Sequence, residues 1–210
     1  MKRLAVNMMS LKLDEPGAYT GALMNSAEEL VTRVRAGDEE AFRLIFERYS
    51  RPLLGFIFDM IGDRHTAEDL AQETFVRAFR GLAGLRDESK LSTWLFQIAK
   101  NVARESLRER RRGGASVEID DEEVFFELQD QGPTPAGRLL DKELNGVIQK
   151  ALMKLDEDKR LVFTLKVLQH RSYEEIAEIT GFSVGKLKTD LHRARAEMRR
   201  RIGPYLGGEQ

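Results

Sequence analysis

The segment SVGKLKTDLHRAR, residues 183–195, places basic and hydrogen-bonding side chains on one face of a predicted helix. At 100° per residue, Lys186, Thr189, His192 and Arg193 lie opposite the apolar side of that helix. Such donors can contact base edges in a major groove, and cations can contact phosphates. The pattern therefore favours recognition of duplex DNA. The alternative is a solvated basic face on an ordinary surface helix.

The surrounding sequence predicts a helix-turn-helix that would position this face. Ser172 with Glu175 forms a capping box at the start of a short helix, and Gly181 turns the chain after it. Ser183 caps a second helix that extends to about Ile202. The apolar stripe of that helix, expected to face the domain interior, is Val184, Leu187, Leu191, Ala194, Met198 and Ile202. Caps, turn and stripe agree in register, which favours the DNA-binding interpretation.

Asp190 is the only acidic residue in the segment 183–195. A carboxylate close to DNA phosphates weakens binding unless it points away, pairs with a basic side chain, or accepts a hydrogen bond from a cytosine amino group. The sequence leaves these three alternatives open.

The formal net charge is −1 over 210 residues, but the charges are segregated along the chain. Residues 100–112 contain six basic and two acidic residues, and residues 183–201 contain seven basic and two acidic residues. Between these patches, residues 113–137 contain seven acidic residues and no basic residue. This segregation is compatible with a nucleic-acid partner, which the net charge alone would disfavour.

The sequence contains no pattern typical of an enzyme. It has no cysteine, and His65, His170 and His192 lack metal-ligand spacing. Walker loops, nucleophile elbows and metalloprotease motifs are absent from it. We therefore expect no catalytic residue, metal or cofactor. No stretch approaches the roughly 18 apolar residues of a membrane span, and no signal-peptide core is found, so we expect a cytoplasmic protein without membrane insertion.

Caps and apolar periodicity predict helices only, arranged in two small domains. Residues 1–25 lack a helical period and are expected to form a mobile extension. A capping box at Ser26 begins a short helix. Asp38 then caps a long helix that is kinked near Pro52 and ends near Gly62.

The next helix is predicted from a capping signal formed by Thr66 and Asp69. Its core face consists of Ala67, Leu70, Ala71, Thr74, Phe75, Ala78, Phe79 and Leu82. The opposite strip is polar with one aliphatic residue, and contains Asp69, Gln72, Glu73, Val76 and Arg80.

A loop over residues 83–91 precedes a helix from about Ser92 to Arg112. That helix is expected to bury Trp94, Leu95, Ile98 and Val102. Trp94 could instead stack on a base, but its spacing with Leu95 and Ile98 favours the core. The acidic segment that follows has linker composition, and helices are predicted at about 136–154 and 157–169.

Three stretches carry a resemblance to a known family: DRHTAEDLAQETFVRAFRGL (63–82), STWLFQIAKNVARESLRERRR (92–112) and LDEDKRLVFTLKVLQHRSYEEIAEITGFSVGKLKTDLHRARAEMRRR (155–201). Together they closely resemble bacterial sigma factors of the extracytoplasmic-function (ECF) class. The resemblance is specific because two unrelated motifs occur in the right order and at the right separation. It implies the following division of the chain: an extension at 1–25, sigma region 2 at 26–112, an acidic linker at 113–135, sigma region 4 at 136–202 and a tail at 203–210.

The resemblance implies a promoter-recognition subunit that binds core RNA polymerase, contacting its β′ clamp helices and its β subunit. The stretch DLAQETF would make the β′ contact through Asp69, Gln72, Glu73 and Val76. Region 2 would also open the −10 element and bind its single strand, with a flipped base held in the loop before the last helix of the domain. The matching residues are Arg86, Asp87, Ser89, Lys90, Asn101, Arg104, Arg108 and Arg111, with Arg110 and Arg112 in the same cationic run.

Region 4 would bind the duplex −35 element through its recognition helix. By position, the groove contacts are Lys186, Lys188, Thr189, His192 and Arg193, and the phosphate contacts are Arg195, Arg199 and Arg200. The family commonly has threonine-valine-lysine-serine-arginine where this chain has KLKTD at 186–190. Lys186 and Asp190 therefore depart from the family pattern, and the −35 sequence does not follow from the resemblance.

The resemblance also implies an anti-sigma factor as a partner, and a linker that passes through the polymerase cleft. A solvated spacer is the alternative for the linker, and Phe125 and Phe126 favour the cleft. The rival function is a stand-alone helix-turn-helix regulator with a helical sensing or dimerisation domain. Such a regulator needs neither the DLAQETF strip nor a second basic patch.

Overall fold

The protein is described by a computed structural model over residues 26–113 and 135–206, which we call the first and second halves. Both halves contain helices and no strand, which confirms the all-α prediction for the described residues. The first half contains α1 (Ala27–Arg35), α2 (Glu39–Ile61), α3 (Arg64–Gly81) and α4 (Leu91–Arg112). The second contains α5 (Pro135–Met153), α6 (Glu157–Phe163), α7 (Tyr173–Thr180) and α8 (Val184–Leu206). The predictions for residues 1–25 and for Phe125 and Phe126 lie outside the described residues.

Helix α1 begins at its predicted cap and ends at Arg35, and α2 begins and ends at its predicted signals. The Ser26 hydroxyl accepts a hydrogen bond from the Glu29 N–H at 3.1 Å, and the Asp38 carboxylate caps α2. Helix α2 continues through Pro52 and ends at Gly62, whose φ of +79° lies in the left-handed region that glycine tolerates best. A Cβ atom at position 62 would also lie 2.6 Å from Met153 Sδ of α5, so a larger residue would both strain the backbone and require the Met153 side chain to shift.

The predicted start of α3 is wrong by about three residues. Asp63 is the N-cap, and its carboxylate accepts a hydrogen bond from the Thr66 N–H at 2.8 Å. The helix begins at Arg64, so Thr66 already lies in the first turn. An aspartate three residues before Thr66 offers a stronger N-terminal cap than threonine does.

The core of the first half lies between α2, α3 and α4. Phe42 packs edge-to-face against Phe79 with ring centroids 4.9 Å apart, and Phe56 packs against Phe96 at 5.4 Å. Most of the predicted core face of α3 is buried, with Leu70 and Phe79 partly buried. Trp94 packs against this core and against Gly81 rather than being fully enclosed, and Ile98 is likewise only partly buried.

The helix-turn-helix of the second half forms as predicted. Ser172 and Glu175 make both bonds of the capping box, and Gly181 ends α7 with a φ of +76°. Two boundaries differ from the prediction: α6 ends at Phe163 and passes into a π-helical turn over Thr164–Leu168, and α8 extends past Ile202 to Leu206. The stripe of α8 is buried from Leu187 to Met198, but Val184 is 40% exposed, so its assignment to the interior was wrong.

The two halves pack against each other, which the sequence did not predict. Helix α4 lies against α7, and α2 lies against α5. Gln149 of α5 donates to the Phe58 carbonyl of α2 at 3.1 Å, and the Arg171 guanidinium lies 4.3 Å from the centre of the Phe96 ring. Buried apolar residues of both halves form one continuous cluster from Leu30 to Met198.

Candidate nucleic-acid and protein interfaces

The polar strip of α3 lies outside the core, as its helical spacing predicted. Asp69 is exposed and has no partner among the described residues, while Gln72, Glu73 and Val76 are partly exposed. Glu73 accepts a hydrogen bond from Arg77 at 2.8 Å, and Arg77 also pairs with Glu105 of α4 at 2.8 Å. We call Asp69, Gln72, Glu73 and Val76 the docking strip. Its polar groups and one aliphatic residue can contact a second protein.

The outward side of α8 carries most of the residues predicted to contact the −35 element. All of its members are exposed, and we call them the reading face: Lys188, Thr189, His192, Arg193, Arg195, Arg199 and Arg200. The four arginines have no ion-pair partner among the described residues. Thr189 donates within its own helix, to the Gly185 carbonyl at 3.0 Å. The reading face therefore offers free donors and cations beside the turn of the helix-turn-helix.

Lys186 was predicted to lie on the same face, but its ammonium is held at the side of α8. It donates to Asp158 of α6 at 2.9 Å and to Asp190, and it lies 4.1 Å from the centre of the Phe182 ring. Burial alone would lower the pKa of Lys186, but the hydrogen bonds to Asp190 and Asp158 outweigh it and raise that pKa. Asp190 is only 9% exposed. Of the three alternatives open for Asp190, the structure selects pairing with a basic side chain.

The residues predicted for the −10 element lie on α4 and in the loop before it. Arg86, Asn101 and Arg108 are exposed and have no partner among the described residues. Asp87 accepts hydrogen bonds from the Ser89 backbone N–H at 3.1 Å and from the Ser89 hydroxyl at 2.5 Å. This pair closes a 3₁₀ turn over Glu88–Lys90, so the predicted loop has its own local structure.

Arg104 of α4 is bound to the second half. Its Nη2 atom lies 2.6 Å from Asp158 Oδ1, and its Nε atom lies 2.9 Å from Glu157 Oε1. The contact between Nε and Glu157 is an ion pair but not a hydrogen bond, since Nε has no hydrogen-bond acceptor in suitable alignment. Arg104 is 18% exposed, and its guanidinium also lies 5.8 Å from the centre of the Phe182 ring.

Lys90 and Arg111 are also paired with the second half. Lys90 pairs with Glu178, which raises the pKa of the lysine, and Arg111 pairs with Glu157. Arg110 instead lies 3.5 Å from Asp63 and contacts Thr66, so it supports the start of α3. Of the predicted −10 cations, Lys90, Arg104 and Arg111 therefore face carboxylates of the second half, and Arg110 faces one of the first half.

Two further residues of this contact were not assigned from the sequence. Gln97 Nε2 donates to the Glu178 carbonyl at 2.8 Å, and Lys100 Nζ donates to the Ile179 carbonyl at 2.6 Å. Burial lowers the pKa of Lys100, with a further contribution from nearby Arg104. The signal available in the sequence was their spacing with Arg104 along one face of α4.

Groups of His, Asp and Glu able to hold a metal ion are absent from the described residues. Each helix formed by the same residues is too short or too polar to cross a membrane.

The fold and these faces define a protein of the sigma-70 type. Residues 45–113 match the Sigma-70 region 2 family, and residues 146–198 match the Sigma-70, region 4 family. The first match contains the docking strip's helix α3, the loop and α4, and the second contains the helix-turn-helix except for the end of α8.

Curated relatives place the chain in the ECF class of sigma-70 proteins. The chain is 35% identical over 185 residues to the RNA polymerase sigma-H factor of Pseudomonas aeruginosa, a match that covers 85% of this chain and 95% of the relative. It is 33% identical over 184 residues to the ECF RNA polymerase sigma-E factor of Haemophilus influenzae, a match that covers 85% of this chain and 96% of the relative. The chain belongs to the ECF sigma factors of the sigma-70 family, and its function is to direct RNA polymerase to promoters.

Solved structures are similar over the same range. The sigma factor RpoE of Bartonella quintana, crystallised with the anti-sigma factor NepR, matches with a TM-score of 0.63 and 25% identity over 77% of this chain and 96% of that chain. CnrH, in a complex with the cytosolic domain of CnrY, matches with a TM-score of 0.63 and 23% identity over 86% and 99%. The similarity to CnrH supports the all-helical fold of this chain.

Proposed function

We propose that this sigma factor acts through three surfaces. The docking strip binds the β′ clamp helices of core RNA polymerase, with further contacts to the β subunit. The loop over residues 83–91 and the basic side of α4 bind the single-stranded −10 element and assist its opening. The reading face of α8 binds the duplex −35 element. Regions 2 and 4 then correspond to residues 26–112 and 136–202.

The observation that carries the −35 assignment is the division of α8 into two faces. Leu187, Leu191 and Met198 are buried against the rest of the domain. The four arginines of the reading face are exposed and have no ion-pair partner among the described residues. A helix anchored by one face presents the other in a constant orientation. Exposed arginines on that side suit both base edges and phosphates.

Run-off transcription with purified core polymerase on a genomic fragment library tests this assignment, because it also yields the promoter. Arg193→Ala should weaken −35-dependent transcription by roughly tenfold, the size expected for one lost base or phosphate contact of about 1–3 kcal/mol. The matched control is Lys154→Ala, which removes one exposed cation from the turn between α5 and α6. A footprint at −35 that is unchanged in the Arg193 variant would refute the assignment.

The docking strip has a separate test. Asp69→Ala combined with Gln72→Ala should greatly weaken binding to core polymerase while helicity stays intact, because both side chains lie outside the core. Glu28→Ala removes one exposed carboxylate from α1 and serves as the control. Polymerase affinity equal to that of the wild type would refute the docking assignment.

The −10 assignment rests on Asn101 and Arg108, which lie on α4 seven residues apart, exposed and without partners among the described residues. Replacing both with alanine should impair promoter opening while −35 binding is retained. We also propose an anti-sigma factor as a regulatory partner, since the similar Bartonella quintana protein was crystallised with one. The proposed function is non-catalytic and belongs in the cytoplasm.

A further inference from the structure

The basic side of α4 is covered by the second half of the same chain. Lys100 and Arg104 lie one helical turn apart, and each is engaged by a different element: Lys100 by the end of α7, and Arg104 by the start of α6. Lys90, before α4, and Arg111, at its end, are paired as well. The contact therefore extends from the residue before α4 to its last turn, although Asn101 and Arg108 between these points stay exposed.

The groups that cover α4 are anionic or electron-rich. Glu157 and Asp158 occupy the first turn of α6, and together they bind Arg104 and Arg111. The Glu178 and Ile179 carbonyls belong to the last turn of α7, where carbonyl groups lack partners inside the helix. Gln97 and Lys100 donate to these carbonyls at 2.8 and 2.6 Å. The second half thus supplies the carboxylate and carbonyl oxygens that the donors of α4 require.

Phosphate oxygens of single-stranded DNA would need the same donors. Arg104 is only 18% exposed, and its guanidinium is already surrounded by Glu157, Asp158 and the Phe182 ring. A strand bound along α4 would also bring phosphates close to the carboxylates of Glu157 and Asp158, and this like-charge approach is unfavourable. The protein therefore cannot bind the strand along α4 while the second half covers that helix.

We infer that the second half inhibits the protein in cis: the start of α6 and the end of α7 compete with the −10 single strand for the basic side of α4. This inference rests on the proposed −10 function of α4. The docking strip and the reading face are not part of the contact. We call the arrangement in which the second half covers α4 the closed form. The closed form keeps the polymerase-binding and −35 surfaces available, and only binding of the −10 strand requires the two halves to separate.

The experiment measures separation of the halves and strand binding in the same full-length protein. Because the chain has no cysteine, Ala36→Cys and Ala196→Cys, both at exposed positions, allow one donor and one acceptor dye to be attached for energy transfer. The test variant carries Glu157→Gln, Asp158→Asn and Glu178→Gln, which neutralise the covering carboxylates and leave α4 unchanged. The control carries Glu28→Gln, Glu39→Gln and Glu174→Gln, which change the net charge equally at exposed positions outside the contact.

We expect energy transfer to fall in the test variant and to stay at the wild-type value in the control. In the wild type it should fall as salt rises from about 50 mM to about 500 mM, because ion pairs at the edge of the contact are screened. Binding of a fluorescent polythymidine of about 20 nucleotides should become about threefold to tenfold tighter in the test variant, since a closed population reduces apparent affinity by the fraction that is open. A control that binds equally tightly would overturn the inference.

A charge exchange tests whether the named ion pair is responsible. Arg104→Glu and Asp158→Arg should each lower energy transfer, and the double variant should restore it. Energy transfer that is unchanged in every variant, or a fall without any gain in polythymidine binding, would overturn the inference. The proposed −10 function fails separately, if Asn101→Ala with Arg108→Ala leaves polythymidine affinity unchanged in the test variant.

Discussion

Lys186 and Asp190 lie one helical turn apart on α8 and form an ion pair, and Asp158 of α6 binds the same ammonium at 2.9 Å. Asp158 also binds Arg104 of α4 at 2.6 Å, so one carboxylate of α6 connects the recognition helix to the first half. The two positions at which this chain departs from the common family pattern are therefore partners. Their pairing withdraws Lys186 from the reading face and leaves Lys188 as the first cation on it.

Asp190→Asn should increase affinity for duplex DNA. The substitution keeps the size of a buried side chain but removes a negative charge from beside the reading face, and it leaves Lys186 with Asp158 alone. We expect binding to a −35 duplex to tighten by roughly twofold to fivefold at low salt, with a steeper salt dependence. Fluorescence anisotropy measures both quantities, with Glu28→Gln as the control of equal charge. Identical salt slopes for wild type and Asp190→Asn would contradict the prediction.

Holding the halves together should block transcription. Gln97→Cys with Glu178→Cys replaces two contacting residues of α4 and α7, and a reducible bismaleimide can join the two thiols in a chain that has no other cysteine. The cross-linked protein should lose run-off transcription, since α4 cannot receive the −10 strand, and should regain it when the linker is cleaved. The uncross-linked double variant is the control. Equal transcription before and after cleavage would contradict the closed-form argument.

Ser172→Ala should destabilise the helix-turn-helix. Ser172 Oγ accepts from the Glu175 N–H at 3.0 Å, and its loss leaves a donor in the first turn of α7 without a partner. The free energy of unfolding should fall by about 1 kcal/mol, which urea denaturation followed by circular dichroism can measure. Ser172→Thr retains the hydroxyl and should cost much less. Equal losses for alanine and threonine would show that the cap contributes nothing.

Asp59→Asn should stabilise the protein at alkaline pH. Asp59 is half-buried as a residue, and burial of its carboxyl group raises the pKa of that group to about 8 from the ordinary 3.8. Between those two values the folded state retains a proton that the unfolded state has released, so wild-type stability falls as pH rises from about 4 to about 8.

The asparagine variant cannot ionise at this position, so it escapes that loss. At a pH of about 9 its free energy of unfolding should exceed that of the wild type by at least about 1 kcal/mol, since one pKa unit corresponds to roughly 1.4 kcal/mol. At a pH of about 4 the difference should largely vanish. Urea denaturation at both pH values measures it, and Glu39→Gln, at an exposed position, should show no such pH dependence. A difference that is constant with pH would contradict the prediction.

Short-range features were predicted well, and the exceptions have local causes. The Ser172 capping box, the Gly62 and Gly181 ends and the buried stripe of α8 all depend on residues within about four positions. The start of α3 was misplaced because Asp63 caps more strongly than Thr66. Val184 was misassigned because periodicity alone extends the buried stripe to the helix end, whereas the structure leaves that side chain 40% exposed.

By itself, the sequence determined the helices, the helix-turn-helix, the two exposed faces and the family. These follow from caps, from 3.6-residue periodicity and from motif spacing, all of which act over short stretches of chain. Only the tertiary structure decided which cations are free of ion-pair partners. Arg104 binds Asp158, which is 54 residues away in sequence, and Lys186 binds the same aspartate, which is 28 residues away. An isolated helix allows either outcome for such side chains, because their partners are set by how the two halves pack.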